Sequence, residues 1–253
     1  MIETIKSFLD NNFFVCGIFI DLKKAFDTVD HKILTDKLLH YGIRGNANEW
    51  IKSFLENRKQ FVSINGFESE LKSVKCGVPQ GSTLGPLLFL IYVNDLYQSF
   101  KKNIIHHFAD DTNLIYASKK IATLENDMNY ELKILVEWLF ANKLTLNIAK
   151  TKLLMFQHPH KQIPNFSIKL NKVKLNLSNS VKYLGIVIDN KLSWNQQIRK
   201  IATKLNRANG ILSKIRHYVS KETCISVYYS LFFHTLSMEV WYGHLLTIII
   251  MTY

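Results

Sequence analysis

The chain has 253 residues, is 47% apolar and 21% charged, and carries a net charge of +12. That length and balance suit a globular protein with one large core or two small ones, and they exclude a disordered tail or a fibrous repeat. The charge is lopsided: residues 151–253 hold 14 basic side chains against 3 acidic ones, while the first 150 residues are nearly neutral, so the basic part points to a polyanion such as nucleic acid.

Residues 2–9 read as a helix end. Residues 13–22 (Phe-Phe-Val-Cys-Gly-Ile-Phe-Ile-Asp-Leu) are a near-continuous apolar run, which predicts a central strand buried on both faces. Asp21 sits at its end, where clefts form in sheets; capping of a following helix is the ordinary alternative. Asp30 predicts the N-cap of a helix through Leu39 that Gly42 stops. Asn46 or Asn48 opens another helix, through Trp50, Ile51, Phe54 and Leu55. Alternation over 60–64, then Asn65-Gly66, then residues 67–74 predict a hairpin. Residues 76–86 are dense in Gly and Pro, which lets a backbone approach a ligand closely. They lead into 87–93, an apolar helix expected in the core.

Asp110-Asp111 lies between Ile104, Ile105 and Leu114, Ile115, Tyr116, which predicts a hairpin with the acidic pair at its turn. Residues 122–140 predict an amphipathic helix with Leu124, Met128, Leu132, Leu135, Val136 and Leu139 inward. A strand over 153–156, a polar stretch with Pro159 and Pro164, short strands near 166–175 and a strand pair over 181–189 follow. From Trp194 the period is helical, with Ile198, Ile201, Leu205, Ile211 and Ile215 as one stripe. Arg199, Lys200, Lys204 and Arg207 cover other faces, a second helix runs over about 221–236, and a domain boundary is expected near 190. Cys16, Cys76 and Cys224 lie far apart without a CxxC pair, so neither a zinc site nor a disulfide framework is expected. The start lacks the form of a signal peptide, and the longest apolar runs are too short to span a bilayer. The expectation is an intracellular chain, nuclear or cytoplasmic, without membrane contact.

Asp21, Asp110 and Asp111 stand out chemically. Adjacent like charges are costly unless water or a cation neutralises them; a solvated turn is the plain alternative for the pair. Strand ends of one sheet can bring Asp21 to them. Hard oxygen ligands without His or Cys suit Mg²⁺ or Mn²⁺. Two such ions about 3.5–4 Å apart can hold the attacking and leaving oxygens of a phosphoryl displacement. Beside a basic region, nucleotidyl transfer and phosphodiester hydrolysis both fit.

Residues 20–27 (Ile-Asp-Leu-Lys-Lys-Ala-Phe-Asp), 77–89 (Gly-Val-Pro-Gln-Gly-Ser-Thr-Leu-Gly-Pro-Leu-Leu-Phe) and 108–111 (Phe-Ala-Asp-Asp) resemble, in order and spacing, the core motifs of reverse transcriptases. The resemblance is closest to the non-LTR retrotransposon type, of which jockey-like elements are an example. Residues 147–151 and 182–185 resemble the next two motifs of that family. The resemblance implies an α+β fold: a right-hand polymerase palm, an antiparallel sheet backed by helices, over 1–190, and a helical thumb over 191–253. Few residues precede the first motif, so the fingers would be a remnant, and the unusual C-terminal end implies a truncated copy.

The implied activity is RNA-directed DNA polymerisation, a two-metal nucleotidyl transfer to a primer 3′-hydroxyl. It would use an RNA template, a DNA primer or duplex, and deoxynucleoside triphosphates; no obligate protein partner follows. A silent remnant that binds nucleic acid only through its basic thumb is the alternative from another class. By the same resemblance Asp21 and Asp110 would be metal ligands, Asp111 would complete the triad and the Leu22 carbonyl would add a ligand. Two Mg²⁺ ions are implied, with Mn²⁺ as the substitute. Phe26 would collide with a 2′-hydroxyl, against plain core packing as the alternative. Gln80 and Gly81 would meet the incoming nucleotide and template. Lys150 would orient phosphates or protonate pyrophosphate, or else form a surface ion pair. Tyr183, Leu184 and Gly185 would hold the primer end, and Arg199, Lys200, Lys204 and Arg207 the duplex phosphates.

Overall fold

A short helix, α1 (Ile2–Asp10), runs into the apolar strand β1 (Phe14–Ile20). After Phe14 every residue of β1 is buried, as expected for a run with no polar alternation. The computed structural model describes residues 1–101, 103–157, 165–233 and 235. Asp30 caps α2 (His31–His40), accepting from the Ile33 amide at 3.0 Å. Helix α3 (Asn46–Leu55) starts at the first of the two asparagines; Asn48 is buried and donates to the Ile43 carbonyl at 3.1 Å.

A ribbon of four short strands follows: β2 (Lys59–Gln60), β3 (Ser63–Ile64), β4 (Phe67–Glu68) and β5 (Lys72–Ser73). β3 pairs with β4 across Asn65-Gly66, both at positive φ, the turn that suits the twist of a hairpin. Every residue of the four strands is exposed, so the ribbon adds nothing to the core. Helix α4 (Leu84–Val93) buries Leu88, Phe89, Tyr92 and Val93 but leaves Leu87 and Leu90 exposed. It is therefore core on one side, where its composition alone suggested burial all round.

β6 (Ile104–Phe108) and β7 (Asp111–Ser118) form the expected hairpin. Helix α5 (Ile121–Ala141) and β8 (Lys152–Phe156) complete a four-stranded antiparallel sheet of order β6-β7-β1-β8, with β1 interior. Leu124, Met128, Leu132, Leu135 and Leu139 of α5 share one core with Ile18, Leu114 and Met155 of the sheet and with Leu34 and Phe89 of α2 and α4. Val136 only packs against its edge. α5 also turns a carboxylate inward. Glu131 is buried and accepts from the Lys101 amide at 2.9 Å and from Asn103 Nδ2 at 2.7 Å. Burial, and after it the Glu131 charge, push the Tyr116 phenol up. A short hairpin of β9 (Lys169–Leu170) and β10 (Val173–Lys174) follows; the preceding Pro159 and Pro164 lie outside the described residues.

Asp30 also pairs with Lys143 at 2.6 Å. Burial works against its charge, but Lys143 and the Ile33 and Lys32 amides outweigh that and hold the carboxyl below its ordinary value. A depressed carboxylate contributes stability above its unfolded pKa, and this is lost as pH falls through the folded value. Asp30→Asn should lower the melting temperature near neutral pH, and that deficit should shrink as pH falls below the ordinary aspartate value of about 4, as thermal melts at acid pH would record.

The chain divides into two compact units, 1–179 and 180–253, earlier than the expected boundary near 190. The second unit opens with a hairpin of β11 (Ser180–Tyr183) and β12 (Ile186–Asp189), which packs with α6 (Asn195–Ile215). The Val187 amide donates to Gln197 Oε1 at 2.9 Å. Buried Asp189 accepts from the amides of Lys191, Ser193 and Trp194 and from the Ser193 hydroxyl. A boundary at 190 would cut through those bonds.

In α6 the buried positions are Gln197, Ile201 and Ala208, while Ile211 is 49% exposed, so the inward stripe departs from the expected one. Helix α7 (Lys221–Tyr228) gives way to a π-helical turn at Tyr229–Phe233, Thr235 is again helical, and Leu236, the expected helix end, lies outside the described residues. The C-terminal tail lies outside the described residues. No helix among the described residues is long and apolar enough to cross a membrane.

Candidate nucleotidyl-transfer site

Strand register decides where the acids fall. Ile20 of β1 stands opposite Thr112 of β7, and Asp21 and Asp111 are the next residues beyond that last pair. Phe108 pairs with Asp111, and the chain turns through Ala109 (φ +52°) and Asp110. Asp110 therefore sits in the turn, while Asp111 opens β7 instead of sharing the turn. Asp111 feels the other two: burial raises its carboxyl, and the negative charges of Asp110 and Asp21 raise it further. None of the three has an ion-pair partner among the described residues. Beside them His107 Nδ1 meets the Thr112 hydroxyl at 2.6 Å. Desolvation lowers the His107 imidazole and the Asp110 charge draws it back up.

Beyond Ile20 the chain changes partner. Leu22 bridges Leu146, with the Lys23 amide donating to the Thr145 carbonyl and the Asn147 amide to the Asp21 carbonyl, both at 2.8 Å. These bonds come from flanking groups and leave the Leu22 carbonyl outside the bridge. The Thr151 hydroxyl accepts from the Asp21 amide at 3.4 Å and donates to the Asn147 carbonyl at 3.0 Å. The turn over 147–151, with exposed Lys150 on it, is thus fastened to the backbone of Asp21.

The Gly-Pro loop lies along the segment that follows Asp21. The Val78 amide donates to the Phe26 carbonyl at 2.8 Å, and the Gly77 amide to the Val29 carbonyl at 2.7 Å. Gly77 is at φ +90°, and a Cβ there would stand 2.8 Å from the Asp27 carbonyl oxygen, so only glycine fits. Ser82 donates from its hydroxyl to the Pro79 carbonyl and accepts from the Gly85 amide, tying the loop to the start of α4. Gln80 and Gly81 are exposed. Gln80 Nε2 donates to Asp27 Oδ1 at 2.9 Å. Phe26 is half-buried and stacks on Phe89 of α4, centroids 4.6 Å apart.

One end of the sheet therefore gathers Asp21, Leu22, Asp110, Asp111 and the Lys150 turn, and the segment after Asp21 carries Phe26 and the Gln80 loop. In the second unit Leu184 and Gly185, both at positive φ, form the turn after Tyr183. Lys200 donates to the Gly185 carbonyl at 2.9 Å, so its head group is already engaged. Arg199, Lys204 and Arg207 are exposed on α6. A cavity of about 620 Å³ between α5 and the β9–β10 hairpin, lined by Asn129, Leu132, Lys133 and Lys169 among others, contains none of the expected site residues.

Among the described residues no three His, Cys, Asp or Glu side chains stand close enough to hold a metal ion unaided. Mg²⁺ is ordinarily held by one or two carboxylates together with substrate phosphates and water. An all-oxygen set in which Asp111 is raised by burial and further by its acidic neighbours fits such an ion, because a cation relieves the repulsion among them. Sequence reasoning passed over Asp27 and Thr151, although both lie inside the quoted motifs.

Residues 7–188 match the reverse transcriptase (RNA-dependent DNA polymerase) family. The RNA-directed DNA polymerase from mobile element jockey of Drosophila melanogaster is 29% identical over 88% of this chain and 25% of that protein. The probable RNA-directed DNA polymerase from transposon BS of the same species is 29% identical over 75% of this chain and 22% of that protein. The chain thus spans about a quarter of the length of these relatives. Among solved structures, apo telomerase from Candida tropicalis truncated from its C-terminal domain is similar with a TM-score of 0.52 at 18% identity. That similarity covers 76% of this chain and 38% of the telomerase chain, and it speaks for the fold alone. With most of its length matched to one family, this chain belongs to the reverse transcriptases, with relatives among the non-LTR mobile-element polymerases of the jockey kind.

Proposed function

We propose that this chain carries the palm of an RNA-directed DNA polymerase, which transfers deoxynucleotides to a primer 3′-hydroxyl on an RNA template. The observation that carries this reading is the placing of Asp21, Asp110 and Asp111 at one sheet end, with Asp111 raised by burial and then by the charges of the other two. These carboxylates, with the Leu22 carbonyl, would hold two Mg²⁺ ions, or Mn²⁺ in their place. Bound there, the ions supply Lewis-acid stabilisation of the attacking and leaving oxygens.

The other roles fall to the chain's own groups. Gln80 and Gly81 present a carboxamide and open backbone to the incoming nucleotide and template. The Phe26 ring, backed by Phe89, would exclude a 2′-hydroxyl. Lys150, on a turn fastened to the Asp21 backbone, would neutralise the triphosphate or give a proton to leaving pyrophosphate. The second unit would act as the thumb. Its turn at Tyr183, Leu184 and Gly185 would hold the primer end, with Lys200 bracing that turn. Arg199, Lys204 and Arg207 would contact duplex phosphates without reading sequence.

Primer extension on an RNA template with Mg²⁺ and deoxynucleotides tests this reading. Incorporation is the expected result. Salt-sensitive duplex binding without incorporation would leave a binding remnant instead. In the same assay Phe26→Val should raise ribonucleotide use relative to deoxynucleotide by about tenfold or more, since a steric gate discriminates only while the ring is present. Unchanged discrimination would return Phe26 to core packing alone.

A further inference from the structure

We propose that Asp27 is a positioning residue for Gln80: its carboxylate accepts a hydrogen bond from one amide N–H of the glutamine and aims the carboxamide oxygen at the nucleotide. The proposal rests on the reading of Gln80 as a nucleotide contact. Two features of the structure support it independently. The first is the direct bond from Gln80 Nε2 to Asp27 Oδ1 at 2.9 Å. The second is how closely the two backbones are joined. Besides the two backbone bonds from Gly77 and Val78, His31 Nε2 meets the Gly77 carbonyl at 2.8 Å and the Cys76 thiol donates to the Asp27 carbonyl at 3.3 Å. Gly77 itself lies against the Asp27 backbone, with no room for a Cβ. Asp27 and the loop are therefore fastened to each other through both backbone and side-chain bonds.

The chemistry follows from the glutamine's amphoteric head. A carboxamide offers two donors and one carbonyl acceptor, and on an exposed loop it would rotate freely. Asp27 can only accept when ionised, so it selects the amino side and leaves the oxygen as the group presented outward. The tether also removes rotamer freedom before substrate arrives, which lowers the entropy lost on binding. Asp27 forms no ion pair among the described residues, so this bond is the interaction its carboxylate is seen to make.

Kinetics of single-nucleotide extension would test the assignment. Asp27→Ala should raise KM for the incoming deoxynucleotide by about five- to tenfold with kcat within about twofold. Asp27→Asn keeps an acceptor oxygen and should restore most of the affinity. In a Gln80→Ala background, Asp27→Ala should add nothing, because the residue acts through the glutamine. Additive losses, or no rescue by Asn, would overturn the assignment. A second measurement does not depend on activity. The Gln80 side-chain amide signal, identified by its loss in Gln80→Ala, should move to a free-amide position in Asp27→Ala. A signal unchanged in that variant would refute the bond even if the wild type extends primers. A wild type that fails to extend while the signal moves would refute the polymerase reading and leave the positioning contact standing.

Discussion

Asp110→Ala should reduce Mg²⁺-dependent primer extension by about three orders of magnitude or more, yet leave the melting temperature unchanged or slightly raised. The loss of rate follows if Asp110 helps to hold the ions that stabilise charge on the reacting oxygens. The retention of stability follows from where the residue sits. Asp110 occupies an exposed turn and has no ion pair among the described residues. Its charge raises the neighbouring Asp111 carboxyl, so removing it relieves repulsion between ionised groups. Asp21→Ala should match the loss of rate. Extension rates at saturating primer-template, read beside thermal melts, separate the two effects. A fall in melting temperature of several degrees with Asp110→Ala would mean that the acid is structural and that the activity loss follows from unfolding.

Much of the sheet could be read from sequence because its signals are local. A near-continuous apolar run of strand length fits an interior strand, and Phe14–Ile20 within 13–22 is one. Asn65-Gly66 and the apolar flanks of Asp110-Asp111 announce their hairpins within a few residues. What escaped depends on partners distant in sequence. Asp27 meets a glutamine 53 residues away. Glu131 breaks the apolar pattern of α5, and its bonds to the Lys101 amide and Asn103 help to explain its burial. On α6, ranking residues by hydrophobicity favours Ile211, but Ala208 is the one buried and Ile211 is 49% exposed. The boundary moved from 190 to 180 because Asp189 gathers four donors after the hairpin, a fact of three-dimensional closure that composition does not display. For the site, the acidic residues and the loop were visible as types at strand ends and breakers. Their convergence came from the β1–β7 register, and the pairing of the 147–151 turn with Asp21 came from a change of strand partner after Ile20.

Phe89→Ala should destabilise the first unit by about 3–5 kcal/mol, the range for emptying a fully buried aromatic position. Phe89 has no exposed surface and belongs to the core shared by the sheet and α2, α4 and α5. Its ring is also the floor on which Phe26 stacks at 4.6 Å. One turn earlier on the same helix, Gly85 lies against the Pro79 carbonyl of the Gln80 loop. The cavity would therefore open directly beneath the proposed nucleotide contacts, so function should suffer beyond what the unfolded fraction explains. In urea titrations at low temperature, where the variant stays folded, ribonucleotide discrimination should fall together with stability. Leu87→Ala on the exposed side of α4 is the matched control. Its side chain is 52% exposed, and it should cost less than about 1 kcal/mol with discrimination intact. If Phe89→Ala lost stability but kept full discrimination, the Phe26 ring would be held by something other than this stack. The selectivity assigned to Phe26 would then have no structural support from α4.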